Sequence, residues 1–500
     1  MTEEKSWPMR LHNGELPSGY YLEFIEANIL SENEIEYKTD ADGWVDLKDE
    51  NVILVQSYRG IAYVKNITIT IKIIPQSLLS RFENLKWLEL HYVGLEELRA
   101  NMFQYNPHLK EVRLTNNRLT KIPAGVFNNC KNIDWVDLGE NEISTIDNDA
   151  FTGLDNLTWL ILNNNRLTKL KNCYFKSLKH LNSLYLSGNL IEEFEDNVFI
   201  DLEELTEIRM SNNKIKCLPD NLIRFLPKLA SIDLDGNEIE ELKPAFFALP
   251  LELHGLNIAN NKIREIHPDL FKEQPNISYL YLCKNQIEKL HPDTFRTLEN
   301  LDSFKIRFNK LMEIDDKLFE NNSNLYELNL RGNQICSIHP NAFAKLNRVY
   351  KLTLSENCIT ELHESIFVGM NSLSQLTLNN NKIKEIHPDI FKGVKLHDLL
   401  LNFNEIEIFD QKMFESMPNL NRFGFTDNPG SHMIDENFLK IFKYGKQFLF
   451  YKYYLTESCD EEYITSELIH KKEYEKKKKE KQPDILDEFD DDLDIEGLFD

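Results

Sequence analysis

Large aromatic side chains recur at regular intervals in the first half of the sequence. Such side chains are typical of surfaces that bind a partner. Trp87, Trp135 and Trp159 are three of the five tryptophans in the chain and are 48 and 24 residues apart. Tryptophan and tyrosine contribute much of the binding energy at protein interfaces. We therefore predict an exposed apolar patch that binds a partner. Its members are Trp87, Tyr92, Trp135, Trp159, Ile161 and Tyr185. The alternative is that the tryptophans stack on one another and stabilise a sheet.

A second group of residues combines cations with aromatic rings further along the same pattern. Its members are Tyr279, Tyr281, Lys305, Arg307, Phe308 and Arg331. Cations beside aromatic rings could bind an acidic segment of a protein partner. Charged residues also occupy many neighbouring positions, and this scatter favours an ordinary solvated face. We keep both interpretations open.

No set of residues typical of catalysis occurs in the sequence. There is no G-x-S-x-G, no H-E-x-x-H and no phosphate-binding glycine loop. One repeat position does carry a column of histidines, which Asp315 interrupts. The column consists of His267, His291, His339, His363 and His387. Because their neighbours lack the ligand set of a tetrahedral zinc site, we interpret the column as repeated consensus. We predict a non-enzymatic protein with no catalytic residues, no cofactor and no bound metal.

The elements that position these residues follow from a 24-residue unit, L-x-x-L-x-L-x-x-N-x-L-x-x-L-x-x-x-x-F-x-x-L-x-x. Successive copies open at Leu85, Leu109, Ile133, Leu157, Leu181, Leu205, Leu229, Leu253, Ile277, Leu301, Leu325, Val349 and Leu373. A shortened copy leads to Leu396 and a degenerate one opens at Leu420, so about fifteen coils are expected. Repetition at a fixed period is the signature of a solenoid, in which each unit buries its apolar edge against its neighbours.

Each position of the unit has a predicted role. The opening half, such as 157–162, alternates apolar and polar residues as a half-buried strand does, so Trp159 and Ile161 should face away from Leu160 and Leu162. Stacked strands should form a parallel sheet lining a concave surface. The column of turn asparagines from Asn117 to Asn428 must bond to neighbouring backbone. The phenylalanine column from Phe103 onward should form a buried spine.

Four regions follow from where the repeat begins and ends. We predict an N-terminal cap over 1–84, leucine-rich repeats over 85–428, a C-terminal cap over 429–470 and a disordered charged tail over 471–500. Residues 483–500 contain nine acidic residues and no basic ones, which favours disorder. Within this segment, Leu486, Phe489 and Leu493 have helical spacing and could bind in the groove of a partner. The alternative is a tail that only increases solubility.

Charge and cysteine usage limit the partners and the compartment. The net charge of −25 argues against nucleic acid as a partner. We find no signal peptide after Met1 and no apolar stretch long enough to span a membrane. Seven cysteines at unmatched repeat positions do not form a disulfide framework. These features predict a cytoplasmic protein, or an extracellular one if a signal peptide is missing from this sequence.

The repeats resemble the 24-residue class of the leucine-rich repeat family, on copies such as 373–391, LSQLTLNNNKIKEIHPDIF. This class includes Toll-type receptor ectodomains, Slit-like proteins and insect repeat proteins, and the I-H-P-D-x-F wording is most similar to the insect members. Extracellular relatives follow the final Asn-Pro with a cysteine cap. Here Gly430 follows Asn428 and Pro429, and only Cys459 lies beyond. The resemblance implies an α/β solenoid, a curved horseshoe of about fifteen coils with a parallel concave sheet.

The combined features predict a protein-binding scaffold that recognises an unidentified protein partner on its concave face. One alternative is a secreted or surface receptor-like protein of innate immunity or adhesion. A second is a nuclear regulator whose acidic tail binds basic proteins. Folds of this kind serve many partners, so the repeat alone does not choose among these functions.

Overall fold

The computed structural model describes residues 85–92 and 94–433, with shorter segments at 9–10, 20–25, 37–39, 44–47, 72–74 and 79–80. The predicted tail, with Leu486, Phe489 and Leu493, lies outside the described residues. So does nearly all of the predicted C-terminal cap, whose first residues form a short 3-10 helix, η3 (Pro429–Met433). The boundaries of the four predicted regions stay a prediction.

One sheet of sixteen strands dominates the described chain, and all of its neighbouring strands are parallel. In sheet order its strands are β2 (Tyr20–Ile25), β5 (Leu85–His91), β6 (Glu111–Arg113), β8 (Trp135–Asp137), β10 (Trp159–Ile161), β12 (Ser183–Tyr185), β14 (Glu207–Arg209), β15 (Ser231–Asp233), β16 (Gly255–Asn257), β17 (Tyr279–Tyr281), β18 (Ser303–Lys305), β20 (Glu327–Asn329), β22 (Lys351–Thr353), β23 (Gln375–Thr377), β25 (Asp398–Leu400) and β27 (Arg422–Gly424). Fifteen of these strands, β5 to β27, come one from each predicted coil. The predicted solenoid with a parallel sheet is confirmed.

Smaller elements complete the coils. Four two-stranded parallel sheets pair β7 (Lys121–Ile122) with β9 (Thr145–Ile146), β11 (Lys169–Leu170) with β13 (Glu193–Phe194), β19 (Glu313–Ile314) with β21 (Ser337–Ile338), and β24 (Glu385–Ile386) with β26 (Ile408–Phe409). Near the N-terminus, β1 (Met9–Arg10), β4 (Trp44–Leu47) and β3 (Tyr37–Thr39) form an antiparallel sheet. Two further 3-10 helices are η1 (Pro244–Phe247) and η2 (Gln411–Ser416). Helix is therefore a minor component of the described chain.

The alternation of the strands decides which face of the main sheet is buried. In β10, Leu160 is fully buried while Trp159 and Ile161 are half-buried, as the sequence predicts. Leu162 follows on the inner side and is also fully buried. Third and fifth positions of each coil therefore project from the opposite face, which we call the open face of the sheet.

Behind the sheet, the phenylalanine column forms the predicted spine. Phe103, Phe127 and Phe151 are stacked in succession, with ring centroids 5.7 and 6.3 Å apart. Ile223 takes the place of phenylalanine in one coil and is 2% exposed. Each ring fills the space between two coils, so burying one ring stabilises both neighbours.

The asparagine column joins each coil to the preceding one. Asn285 donates from Nδ2 to the carbonyl of Ile258 at 2.9 Å, and its Oδ1 accepts from the amide of Ile263 at 3.0 Å. Both partners belong to the coil before it. The same two bonds recur at Asn117, Asn141, Asn165, Asn189, Asn213, Asn237, Asn261, Asn309, Asn333, Asn357, Asn381, Asn404 and Asn428. The predicted structural role of these buried amides is confirmed.

Candidate protein-binding face

The register of the main sheet places the predicted tryptophans in one column of the open face. Trp87 lies beside Glu111, Glu111 beside Trp135, and Trp135 beside Trp159. Glu111 pairs with Arg113 in the same strand. The expectation of one contiguous patch is therefore wrong for Trp87, because a charged strand separates it from the other two tryptophans.

The remaining aromatic residues form a stacked array that we call the aromatic ladder, consisting of Trp135, Trp159 and Tyr185. The indole rings of Trp135 and Trp159 are 4.8 Å apart and 15° from parallel. Tyr185 meets Trp159 edge to face at 5.6 Å. The guanidinium groups of Arg113 and Arg209 lie at the two ends, 5.5 Å from the Trp135 ring and 4.5 Å from the Tyr185 ring. Each aromatic contact contributes about 0.5–1.5 kcal/mol beyond burial.

Stacking and exposure coexist in the aromatic ladder. The alternative interpretation of the tryptophans, mutual stacking, is realised in the structure. Both indoles nevertheless remain half-buried, and half-buried Ile161 lies beside Tyr185 in the next column. The array therefore leaves apolar surface accessible on the open face while holding its rings in one conformation.

Tyr185 departs from the expectation that it is exposed, because it is only 9% exposed. Its hydroxyl donates to Glu207 at 2.9 Å, and Arg209 both stacks on the ring and donates from Nε to Glu207 at 2.7 Å. These two residues belong to the next coil and cover the tyrosine. Tyr185 therefore supports the aromatic ladder and offers little of its own surface.

Tyr92 is exposed, at 62%, and occupies the eighth repeat position, at the border of the open face. It follows β5 in a turn and has a left-handed backbone with φ of 57°. Glycine or asparagine usually occupies such positions because a Cβ atom is disfavoured there. Tyr92 therefore lies in the turn that follows the strand of Trp87, and its part in the predicted patch stays a prediction.

The second predicted group lies in the strands β17, β18 and β20 and in the turns after them. Lys305 is 7% exposed and Arg307 is 4% exposed, so the favoured interpretation of a solvated face is wrong for both. The Lys305 ammonium lies 4.9 Å from the Tyr281 ring and 3.3 Å from a carboxylate oxygen of Glu327. Burial raises the pKa of the Tyr281 hydroxyl to about 12. These groups form a buried polar floor.

Glu327 joins two lysines across three coils. Its other oxygen lies 3.2 Å from the ammonium of Lys351. Burial lowers the pKa of Lys305, against the attraction of Glu327. Burial alone would raise the pKa of Glu327, but Lys305 and Lys351 hold it below its ordinary value. The attraction between Glu327 and the two lysines thus opposes the effect of burial on the charged forms of Lys305 and Glu327.

Phe308 and Arg331 complete this region at its outer edge. The Arg331 guanidinium lies 5.5 Å from the Phe308 ring and donates from Nη2 to Glu356 at 2.9 Å. Phe308, like Tyr279, is an exposed aromatic residue. We call the residues Lys284, Lys305, Arg307, Arg331 and Lys351, with the aromatic rings of Tyr279 and Phe308, the cationic site.

The histidine column has a structural role that was not predicted from the sequence. The Nδ1 atom of His267 accepts from the amide two residues later, at 3.1 Å, and the other four histidines make the same bond. Asp315 makes it with a carboxylate oxygen, at 3.0 Å. Histidine and aspartate can both accept a hydrogen bond from the backbone. Their interchange at one repeat position therefore indicates a side chain that caps a turn. Among the described residues, no group of three or more His, Cys, Asp or Glu side chains is arranged to hold a metal ion.

The fold and the open face together define a class, a solenoid that displays columns of side chains on a parallel sheet. The leucine rich repeat family model matches residues 107–167, 155–215, 180–239, 251–311, 299–357, 347–406 and 371–429. These segments cover more than half of the chain, which belongs to the leucine-rich repeat family. No curated protein matched the sequence.

Solved structures with the same architecture come from distant relatives. A leucine-rich repeat protein of Leptospira interrogans is 24% identical with a TM-score of 0.65, over 75% of this chain and 94% of that one. Toll, in the Drosophila Toll–Spatzle complex, is 23% identical with a TM-score of 0.65, over 71% and 49% of the two chains. TLR13, in its complex with ssRNA13, is 23% identical with a TM-score of 0.63, over 71% and 55%. This chain therefore spans about half the length of the Toll and TLR13 chains, and the likeness shows the fold alone.

Within the part of the chain that the structure describes, no helix is long and apolar enough to cross a membrane. Among the cysteines in this part, the free thiol of Cys130 is buried and those of Cys217 and Cys336 are exposed.

Proposed function

We propose that this protein is a non-enzymatic scaffold that binds a protein partner on the open face of its sheet. The observation that carries the proposal is the half-buried stacked pair Trp135 and Trp159. Half-buried indoles that are already fixed in one conformation lose little entropy on binding. Ile161 extends the same apolar surface on the neighbouring column. The contact residues are therefore Trp135, Trp159 and Ile161, with Tyr185 as a support.

The experiment compares two stacked aromatic pairs. In the test variant, Trp135 and Trp159 are both replaced by Ser. The matched control replaces Tyr326 and Tyr350, whose rings stack at 5.2 Å and 2° in adjacent coils but precede the strands. Proteins captured by the intact chain should be lost with the tryptophan variant and retained with the tyrosine control. For a purified partner, we expect a loss of about 2–4 kcal/mol of affinity.

Stability measurements separate binding from structure in the same variants. Both pairs contribute stacking, so each double variant should lose a similar, small amount of stability, about 1 kcal/mol. If the tryptophan variant loses far more stability and still binds its partner normally, the aromatic ladder is structural and the proposal fails.

For the compartment we propose the cytoplasm, supported by the free thiols of Cys130, Cys217 and Cys336. A secreted or surface receptor-like protein is the first alternative, and its genomic sequence would encode an apolar signal segment upstream. A nuclear regulator is the second, and its binding of basic proteins would require residues 483–500 and weaken with salt. Deleting that segment and measuring the binding of a basic protein such as a histone separates the second alternative from the scaffold.

A further inference from the structure

Charge is unevenly distributed along the open face. We consider the six residues of each coil that begin at its third repeat position, such as 87–92. In the first four coils these segments contain four acidic residues and one arginine, and in the next four they contain three acidic residues and one arginine. In coils nine to twelve, the segments 279–284, 303–308, 327–332 and 351–356 contain five cations and two carboxylates. The excess of cations stands out in a chain whose net charge is −25.

The cations of this region lie on adjacent coils, and two of them, Lys305 and Arg307, are buried. Arg307 and Arg331 occupy the same repeat position in adjacent coils, about 4.8 Å apart by the spacing of parallel strands. Like charges on adjacent coils repel one another, more strongly where water is excluded. The two carboxylates, Glu327 and Glu356, are already paired with Lys305, Lys351 and Arg331. An additional anion would therefore stabilise the site.

A buried donor points to the same ligand. The side chain of Arg331 is 11% exposed, and its Nε atom has no hydrogen-bond acceptor among the described residues. A buried guanidinium N–H without an acceptor is unfavourable, and a carboxylate bound to Arg331 would stabilise the group.

We propose that the cationic site binds an acidic segment of a protein partner that also carries apolar residues. This deepens the proposed scaffold function and rests on it. Carboxylates of the segment contact Arg331, Lys351 and exposed Lys284, and its apolar side chains pack on Tyr279 and Phe308. Buried Lys305 and Arg307 contribute a positive potential from beneath the contact.

A nucleic acid fits these observations less well. Its backbone needs a row of accessible cations to replace its counterions. Here two of the five cations are almost fully buried, and two carboxylates lie among them. The first eight coils of the open face, with their excess of acidic residues, would repel a polyanion that extended along the sheet.

The test uses the full chain and fluorescein-labelled peptides of alternating Glu and Phe, Gln and Phe, or Lys and Phe. Fluorescence anisotropy should show that only the Glu-Phe peptide binds, and that binding weakens with salt. The double variant Lys284→Gln and Arg331→Gln should bind it roughly tenfold more weakly or worse. The control Lys262→Gln and Arg348→Gln removes the same charge from exposed positions off the open face and should bind normally.

Two outcomes would overturn the inference. One is equal weakening in the control, which would mean that overall charge alone controls binding. The other is tighter binding of a single-stranded RNA of equal charge, which would identify a nucleic-acid site. The Trp135→Ser and Trp159→Ser variant keeps the cationic site, so it should bind the Glu-Phe peptide normally. If that variant loses the natural partner while no chain binds the peptide, the scaffold function stands and this inference fails.

Discussion

The ring of Phe308 occupies the space that a side chain at Gly332 would need. A Cβ atom built on Gly332 would lie 2.3 Å from Cδ1 of Phe308 and 2.6 Å from Cε1. Both residues have left-handed backbones, with φ of 55° and 66°. Only a glycine in the next coil allows the aromatic ring to lie flat across that turn, where Arg331 stacks against it. The placement of Phe308 in the cationic site thus depends on a residue that carries no side chain.

Replacing Gly332 by Ala should displace the Phe308 ring and strain the backbone. We expect a loss of about 1–3 kcal/mol of stability and weaker binding of the Glu-Phe peptide. Gly393→Ala is the matched control, because Gly393 also has a positive φ, 92°, but its new Cβ would meet nothing within 4 Å. That variant should lose only the backbone contribution and bind normally. Equal peptide affinity in the two variants would show that Phe308 takes no part in binding.

Asp233 should make stability fall as pH rises. Burial raises the pKa of its carboxyl to about 6, against an ordinary value of 3.8. Between these values the folded chain holds a proton that the unfolded chain has released, so the free energy of unfolding decreases up to about pH 6 and stays low above it.

Asp233→Asn should therefore raise stability at pH 7.5 by about 1–3 kcal/mol and flatten this dependence. Its Oδ1 would still accept from Asn257 and from the amide of Asp235. Denaturant titrations between pH 4 and 8 measure the effect, with exposed Asp196→Asn as the control. A variant less stable than the parent at pH 7.5 would mean that Asp233 is stabilised by its charge.

Removing one asparagine of the column should destabilise two coils at once. Asn285→Ala leaves the amide of Ile263 without its acceptor and removes one of two donors to the carbonyl of Ile258, to which Asn261 still donates at 3.2 Å. An unsatisfied buried amide costs about 1–3 kcal/mol, so we expect a loss of that size in denaturant titration. Exposed Asn371→Ala should change stability by less than about 0.5 kcal/mol. A small loss at Asn285 would indicate that water replaces its amide.

Thiol reactivity should follow burial. In a background lacking Cys459, exposed Cys217 and Cys336 should react quickly with a thiol reagent in the native protein. Burial raises the pKa of the Cys130 thiol to about 12, so it should react only after unfolding. Single serine variants assign each reacting group. Rapid modification of Cys130 under native conditions would reveal local opening of that coil.

The repeat made the fold predictable, because each position of the unit has the same environment in every coil. Alternation alone placed Trp159 outward and Leu160 inward. Contacts between side chains of adjacent coils were harder to predict, because the sequence does not show which side chain covers which. Tyr185 is buried by Glu207 and Arg209, and Lys305 by its contacts with Tyr281 and Glu327. Such pairings depend on rotamers, which the period of the sequence does not determine.

The asparagine column also makes the length of this protein adjustable in whole steps. Each asparagine bonds to backbone groups of the preceding coil. At the end of the described chain, where the column stops, the Oγ atom of Ser431 donates to the carbonyl of Phe425 at 3.3 Å. A duplicated or deleted coil would meet the same backbone groups, so the neighbouring coils would not have to change. The aromatic ladder and the cationic site could thus be moved apart or together in increments of about 4.8 Å. The number of coils between the two sites would then determine how far apart two recognised segments of a partner must lie.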